Sequence, residues 1–212
     1  NLVKQSFLKE YHVKVINNGI NLKIFKPTKS MDIRKKYDIP KDKKIVLGVA
    51  ANWDERKGLK DFIRLSEIIE KDTIIVLVGL NREQIKSLPS NIIGISRTEN
   101  TEELANIYSI SKVFVNLTHE DNFPTTNIEA QACGIPVITY NTGGSAESVN
   151  EKVGRIVDKY NIKKEKKEID LIENNVFSQK DILDNSKKYD GNKKYKDYIN
   201  MYNKIIERKQ SK

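Results

Sequence analysis

From residue 45 onward, short β-branched apolar runs alternate with stretches whose apolar positions recur at helical spacing. Ile45 to Ala50, Thr73 to Val78, Asn91 to Ser96, Lys112 to Leu117, Pro136 to Tyr140 and Val153 to Val157 read as strands, being rich in Val and Ile and bounded by turn residues. Helices are predicted between them at 31–37, Leu59 to Lys71, Arg82 to Ser87, Thr101 to Ser109 and Thr125 to Cys133, with a short one at Ser145 to Val149. Leu59, Phe62, Ile63, Ser66 and Ile69 share one face of the second, and Leu104, Ile107 and Tyr108 turn inward in the fourth. Such alternation predicts an α/β fold, a doubly wound, Rossmann-like parallel sheet of about six strands covered by helices on both faces.

The flanks differ. Leu2, Phe7, Leu8 and Tyr11 suggest a helical stretch within residues 1–12, followed by a short strand from Val13 to Ile16 and a turn at Asn17-Asn18-Gly19. Beyond Asp158 the chain is charged and lacks β-branched runs. Tyr195, Tyr198, Ile199, Tyr202, Ile205 and Ile206 predict a long amphipathic C-terminal helix whose stripe serves packing. The expected organisation is a leading segment at 1–30, a Rossmann-like domain at 31–160 and a helical extension at 161–212 packed on that domain.

Composition narrows the function classes. With 32% charged residues, a mean hydropathy of −0.59 and no apolar run near the ~20 residues of a membrane span, a soluble chain is expected. The opening NLVKQSFLKEYHV has no signal-peptide pattern, which predicts a cytoplasmic location. A single cysteine, Cys133, excludes an intramolecular disulfide and is expected to pack as a small apolar residue; His12 and His119 stand too far apart to suggest a zinc site. The net charge is +9, and residues 160–212 carry 14 Lys+Arg against 9 Asp+Glu. That balance suits a phosphate-bearing ligand, an anionic membrane surface or nucleic acid, and equally a solvated lysine-rich surface. No interleaved aromatics or reading helix accompany it, so nucleic acid is not the expected partner.

In open α/β sheets ligands bind beyond the carboxyl ends of the strands, which singles out four loops. ANWDERKG follows the first core strand and sets Arg56 and Lys57 where a helix begins, an anion-binding arrangement or a solvated turn. After the fourth strand, Asp121 precedes the next helix and Glu129 lies inside it, so both carboxylates can face one cleft and accept from sugar or ribose hydroxyls. Thr125, Thr126 and the first helical amides can donate to phosphate or sugar oxygens; acids beside a helix start also simply favour its dipole. NTGGSAE after the fifth strand holds Gly143 and Gly144, which permit close backbone approach to a ligand or form an ordinary turn. The remaining loop follows Ser96.

The stretch EDNFPTTNIEAQACGIPVITYNTGGSAE resembles the donor-site region of group 1 glycosyltransferases, retaining enzymes of the GT-B fold. Asp121, Glu129, Ala130, Ala132, Gly134, Pro136, Val137, Gly143, Gly144 and Glu147 fall on the family pattern. VINNGINLKIFKP resembles its hinge, and ERKGLKDFI its Lys-Gly-helix segment. The similarity covers about Val13 to Asp158. It implies that Lys57 holds the diphosphate, Glu129 the ribose hydroxyls and Asp121 the donor sugar. The backbone of Phe123, Pro124, Thr125 and Thr126 would line the sugar and phosphates, and that near Ile95 to Arg97 the base. No metal or cofactor is implied, the donor being a UDP- or GDP-linked sugar. Three positions depart from the pattern: Asp121 stands for the usual Glu, Pro124 for a Gly whose amide is thereby lost, and Ala51 and Asn52 where an Arg is usual, leaving Arg56 as its substitute. The resemblance further implies that residues 1–30 lead in from an N-terminal half carrying the acceptor site for a glycan or lipid-linked sugar, with peripheral contact at the inner membrane face an open expectation. A nucleotide-sugar epimerase of the same fold and a non-catalytic nucleotide-binding or interaction module are the alternatives.

Overall fold

All six residues of β2 (Thr73–Val78) are buried, as they must be in a strand with neighbours on both sides and helices over both faces. The computed structural model describes residues 3–29, 32–173 and 176–210. It places β2 between β1 (Lys44–Val49) and β3 (Ile92–Ile95), and continues from β1 through β4 (Val113–Asn116) and β5 (Val137–Tyr140) to β6 (Gly154–Val157). The six-stranded order is β3-β2-β1-β4-β5-β6, every pairing parallel.

The pleat divides the core into two layers. Ile45 and Leu47 of β1 enter one layer with Ile33 of α1 (Asp32–Lys36), Ile107 and Tyr108 of α4 (Thr101–Ser109), Ile128 of α5 (Thr125–Ala132) and Ile182 of α7 (Gln179–Ser186). Val46 enters the other with Phe62 and Leu65 of α2 (Leu59–Ser66), Ile85 of α3 (Arg82–Lys86) and Ile169 and Ile172 of α6 (Ile162–Glu173). The chain thus leaves β1 towards one face and β4 towards the other. Strand order reverses between them, and their loops diverge to leave a crevice.

Local chemistry sets the helix starts. Asn81 and Gln84 form a reciprocal capping box on α3, Asn100 caps α4 and Ser178 caps α7. Cys133 is buried, and burial pushes its thiol up to about 12, so it serves as a small core residue.

Several expectations are corrected. Helix α2 ends at Ser66 rather than Lys71, and Ile68 beyond it is exposed. Ser145–Ser148 is a single 3₁₀ turn. Val13 to Ile16 forms no strand: Val13 and Val15 are exposed and, among the described residues, no neighbouring strand completes their hydrogen bonds. The leading segment is tied in later, where Ile20 N–H donates to Tyr189 O at 2.9 Å and Gly191 N–H to Ile20 O at 2.8 Å. Of the helical stretch expected within 1–12, only a 3₁₀ turn at Val3–Gln5 is present; Leu2 lies outside the described residues. Among the described residues, the C-terminal region holds the α-helices α6, α7 and α8 (Gly191–Gln210), with a 3₁₀ turn at Lys187–Tyr189. The stripe of α8 does not pack inward: Tyr195, Ile199, Tyr202 and Ile206 are more than half exposed.

Phe62 is fully buried with its ring edge-on to Trp53, centroids 5.4 Å apart. Phe62→Ala should lower unfolding stability by about 3–5 kcal/mol, read as a reduced urea midpoint with an unchanged slope.

Candidate functional site

The β1 and β4 loops are joined across the crevice by hydrogen bonds. His119 N–H donates to Arg56 O at 2.8 Å, the Thr118 hydroxyl donates to the same carbonyl at 3.2 Å, and Arg56 Nη1 donates to Glu120 O at 3.2 Å. Gly58, at φ 77°, makes this approach possible, since a Cβ there would stand 2.2 Å from Leu117 O. Lys57 and Asp121 are thereby brought together, Nζ to Oδ2 at 2.7 Å, with side chains 21% and 17% exposed. The other Asp121 oxygen accepts from Phe123 N–H at 3.2 Å.

Helix α5 begins two residues after Phe123. Pro124 occupies its N-cap, no side chain caps it, and its first turn carries no acid. The positive end of its dipole and the first-turn amides therefore open beside the ion pair. Thr125 and Thr126 are half-buried at this start. One turn on, Glu129 accepts from the fully buried Tyr108 hydroxyl at 3.1 Å. Burial pushes the Glu129 carboxyl up, against the opposing hydrogen bonds from Tyr108 and Thr125. Phe123 packs on Tyr189, centroids 5.6 Å apart.

Gly143 and Gly144 serve the protein's own backbone. A Cβ on Gly143, at φ 48°, would lie 2.2 Å from Asp121 O, and one on Gly144 would lie 1.7 Å from Asn122 O. Gly144 N–H donates to Asp121 O at 2.9 Å, so the β5 loop clasps the loop that carries Asp121. Glu147, from the same segment, accepts from Asn17 Nδ2 at 3.4 Å.

The remaining expected residues stand further out. Asn52 is exposed, while its neighbour Trp53 is buried and donates from Nε1 to Val78 O at 2.8 Å. Ile95 ends β3, two strands from β1, and its carbonyl already accepts from Gly79 at 2.8 Å and Leu80 at 3.3 Å. Arg97 is exposed at that same edge.

Sequence reading passed over the support beneath the crevice. Asp61 is buried and pairs with His119 Nε2 at 2.6 Å, and Asn127 binds both Asn116 and Ser145 O at 2.9 Å. One signal was available: Asp61 is four residues before Leu65, so it shares the core-facing stripe of α2.

The sequence pattern described as glycosyl transferases group 1 matches residues 29–189. The chain belongs to this family. The capsular polysaccharide biosynthesis glycosyltransferase CapM of Staphylococcus aureus is 24% identical over 230 residues, covering 100% of this chain and 60% of CapM. Sucrose-phosphate synthase from Thermosynechococcus elongatus superposes with a TM-score of 0.82 at 23% identity, over 96% of this chain and 55% of its own. Anabaena Alr3699/HepE in complex with UDP-glucose superposes at 0.76 and 18% identity, over 90% of this chain and 57% of its own. The chain therefore spans little more than half the length of these proteins, and it shares its fold with the two solved structures. Among the described residues, no helix is long and apolar enough to cross a membrane.

Gly143→Ala should force the β5 loop away from Asp121. Positive φ and the carbonyl clash together predict a loss of about 2–4 kcal/mol in unfolding stability, seen as a lowered Tm.

Proposed function

We propose that this chain is the donor-binding half of a retaining glycosyltransferase, which moves a sugar from a nucleoside diphosphate onto a glycan or lipid-linked acceptor in surface polysaccharide synthesis. The observation that carries this reading is the Lys57–Asp121 pair beside the uncapped start of α5, at the crevice where strand order reverses. The ammonium and first-turn amides suit a diphosphate, and the paired carboxylates suit hydroxyls. CapM's role in capsular polysaccharide biosynthesis and the UDP-glucose held by HepE support the substrate class.

In the proposed reaction the bond between the anomeric carbon and the diphosphate oxygen breaks, and the departing oxygen gathers negative charge. Lys57 and the α5 amides stabilise that charge, which grows towards the transition state. Asp121 releases Lys57 to the phosphates and accepts from the donor sugar, while Glu129 accepts from the ribose. The acceptor hydroxyl attacks from the face the diphosphate leaves and passes its proton to the departing diphosphate oxygen, with acceptor contacts supplied outside this chain. Arg56 is held on Glu120 O, within the same loop pair as Lys57, where it can add positive charge for the missing family arginine.

Isothermal titration with UDP, GDP and their sugars tests the reading. Wild type should bind one nucleotide series, and Lys57→Ala and Glu129→Ala should each weaken it about tenfold or more, as expected for a lost charged hydrogen bond. Absence of binding to every nucleotide would favour an interaction module instead. Because burial raises the Glu129 carboxyl and its ionised form is the better acceptor, affinity should strengthen as pH rises through that raised value, and Glu129→Gln should remove this acid-limb gain. The chain alone should not transfer sugar.

A further inference from the structure

Tyr189 ends the 3₁₀ turn before α8 and stands where the leading segment crosses the start of that helix. Its carbonyl accepts from Ile20 N–H at 2.9 Å, and Gly191 N–H donates to Ile20 O at 2.8 Å, so the leading segment is bonded on both sides of Asp190. The crossing leaves no room for a side chain, since a Cβ on Gly19 would stand 2.6 Å from Gly191 Cα. From this fixed point the Tyr189 ring reaches the loop after β4. It packs on the Phe123 ring, centroids 5.6 Å apart and planes at 49°, with Lys194 Nζ over its own face at 5.7 Å from the centroid.

Phe123 carries that contact into the crevice. Between Leu117 and Pro124 it is the one apolar side chain of the loop, and it packs against the same core layer as Tyr189. Its ring is therefore the loop's apolar anchor. Its amide donates to Asp121 Oδ1 at 3.2 Å, while Oδ2 meets Lys57 Nζ at 2.7 Å. Once Lys57 passes to a diphosphate, as proposed above, the Phe123 amide is the bond that remains on the Asp121 carboxylate among the described residues. The aim of the carboxylate is then set from the Phe123 side.

We propose that Tyr189 is a positioning residue for the donor sugar: it sets the Asp121 carboxylate through Phe123, and so ties recognition of the sugar to the crossing of the leading segment and α8. The role of Asp121 towards the sugar rests on the function proposed above; the link from Tyr189 to the Phe123 amide does not. The contact that matters is ring on ring, so phenylalanine at 189 serves as tyrosine does and leucine fails. The bond it controls lies on Asp121. Loss of the contact is therefore felt by the sugar, while the nucleotide keeps Lys57, the α5 amides and Glu129.

Hydrogen exchange in the unliganded chain, read by NMR, tests the link. Tyr189→Leu should lower protection of the Phe123 amide about two- to tenfold, the range expected for a lost aromatic pair, and leave the His119 amide on Arg56 O unchanged. Tyr189→Phe should keep wild-type protection at both. A Phe123 amide indifferent to Tyr189→Leu, or an equal loss at His119, would overturn the link. Titration of UDP, UDP-glucose, GDP and GDP-mannose into the same samples tests the role. In Tyr189→Leu the nucleotide sugar should weaken about two- to tenfold more than its bare nucleotide, Tyr189→Phe should restore it, and in an Asp121→Ala background Tyr189→Leu should add no further sugar-specific loss. No sugar-specific loss, or one that persists undiminished in the Asp121→Ala background, would overturn the role. Absence of binding to all four ligands defeats the function reading and the sugar role with it, and the exchange data alone decide whether Tyr189 sets the Phe123 amide.

Discussion

Where β1 and β4 lie side by side, the chain leaves one strand for α2 and the other for α5 on opposite faces of the sheet, and their two loops diverge. The proposed site depends on how that divergence is bridged. Backbone takes part in every contact: the hydrogen bonds from the Thr118 hydroxyl and the His119 amide to Arg56 O, the glycine at 58 pressed on Leu117 O, and the glycines at 143 and 144 pressed on residues 121 and 122. Each contact leaves too little room for a side chain, so glycine is set here by the protein's own packing. The positions of Lys57 and Asp121 are consequences of this scaffold.

Lys57, Asp121 and Glu129 are held in different environments, which suits different tasks. Lys57 and Asp121 neutralise each other in a pair that remains partly open to solvent, and such pairs exchange partners at modest cost. Glu129 is more deeply set, with Tyr108 behind it, so its charge is costlier to maintain and its orientation better fixed. In the proposed function the exchangeable pair would meet the phosphates and the fixed acceptor the ribose.

Much of this was legible in the sequence because it follows from periodicity. Six apolar runs at regular intervals define the parallel sheet, and the positions of Lys57, Asp121 and Glu129 relative to those runs place them on its carboxyl edge. What was not legible depends on contacts between distant segments. Val13 to Ile16 has strand composition and no strand to pair with, while Ile20 finds its partner at Asp190, near the far end of the chain. Asp61, His119 and Tyr140 come from separate segments and meet only because α2 covers the face into which Tyr140 points. The stripe of α8 satisfies every rule for an inward-facing helix, yet the chain brings little against it. Amphipathic spacing predicts that a face will be covered; it does not say by what.

The central claim is that Lys57 belongs to Asp121 only until a diphosphate arrives. A crystal structure of this chain soaked with UDP- or GDP-linked sugar tests it most directly. The account predicts density for the diphosphate between Lys57 and the first turn of α5, with the lysine moved off Asp121 onto a phosphate oxygen and the ribose on Glu129. A nucleotide bound elsewhere on the molecule, with the Lys57–Asp121 pair intact, would contradict it.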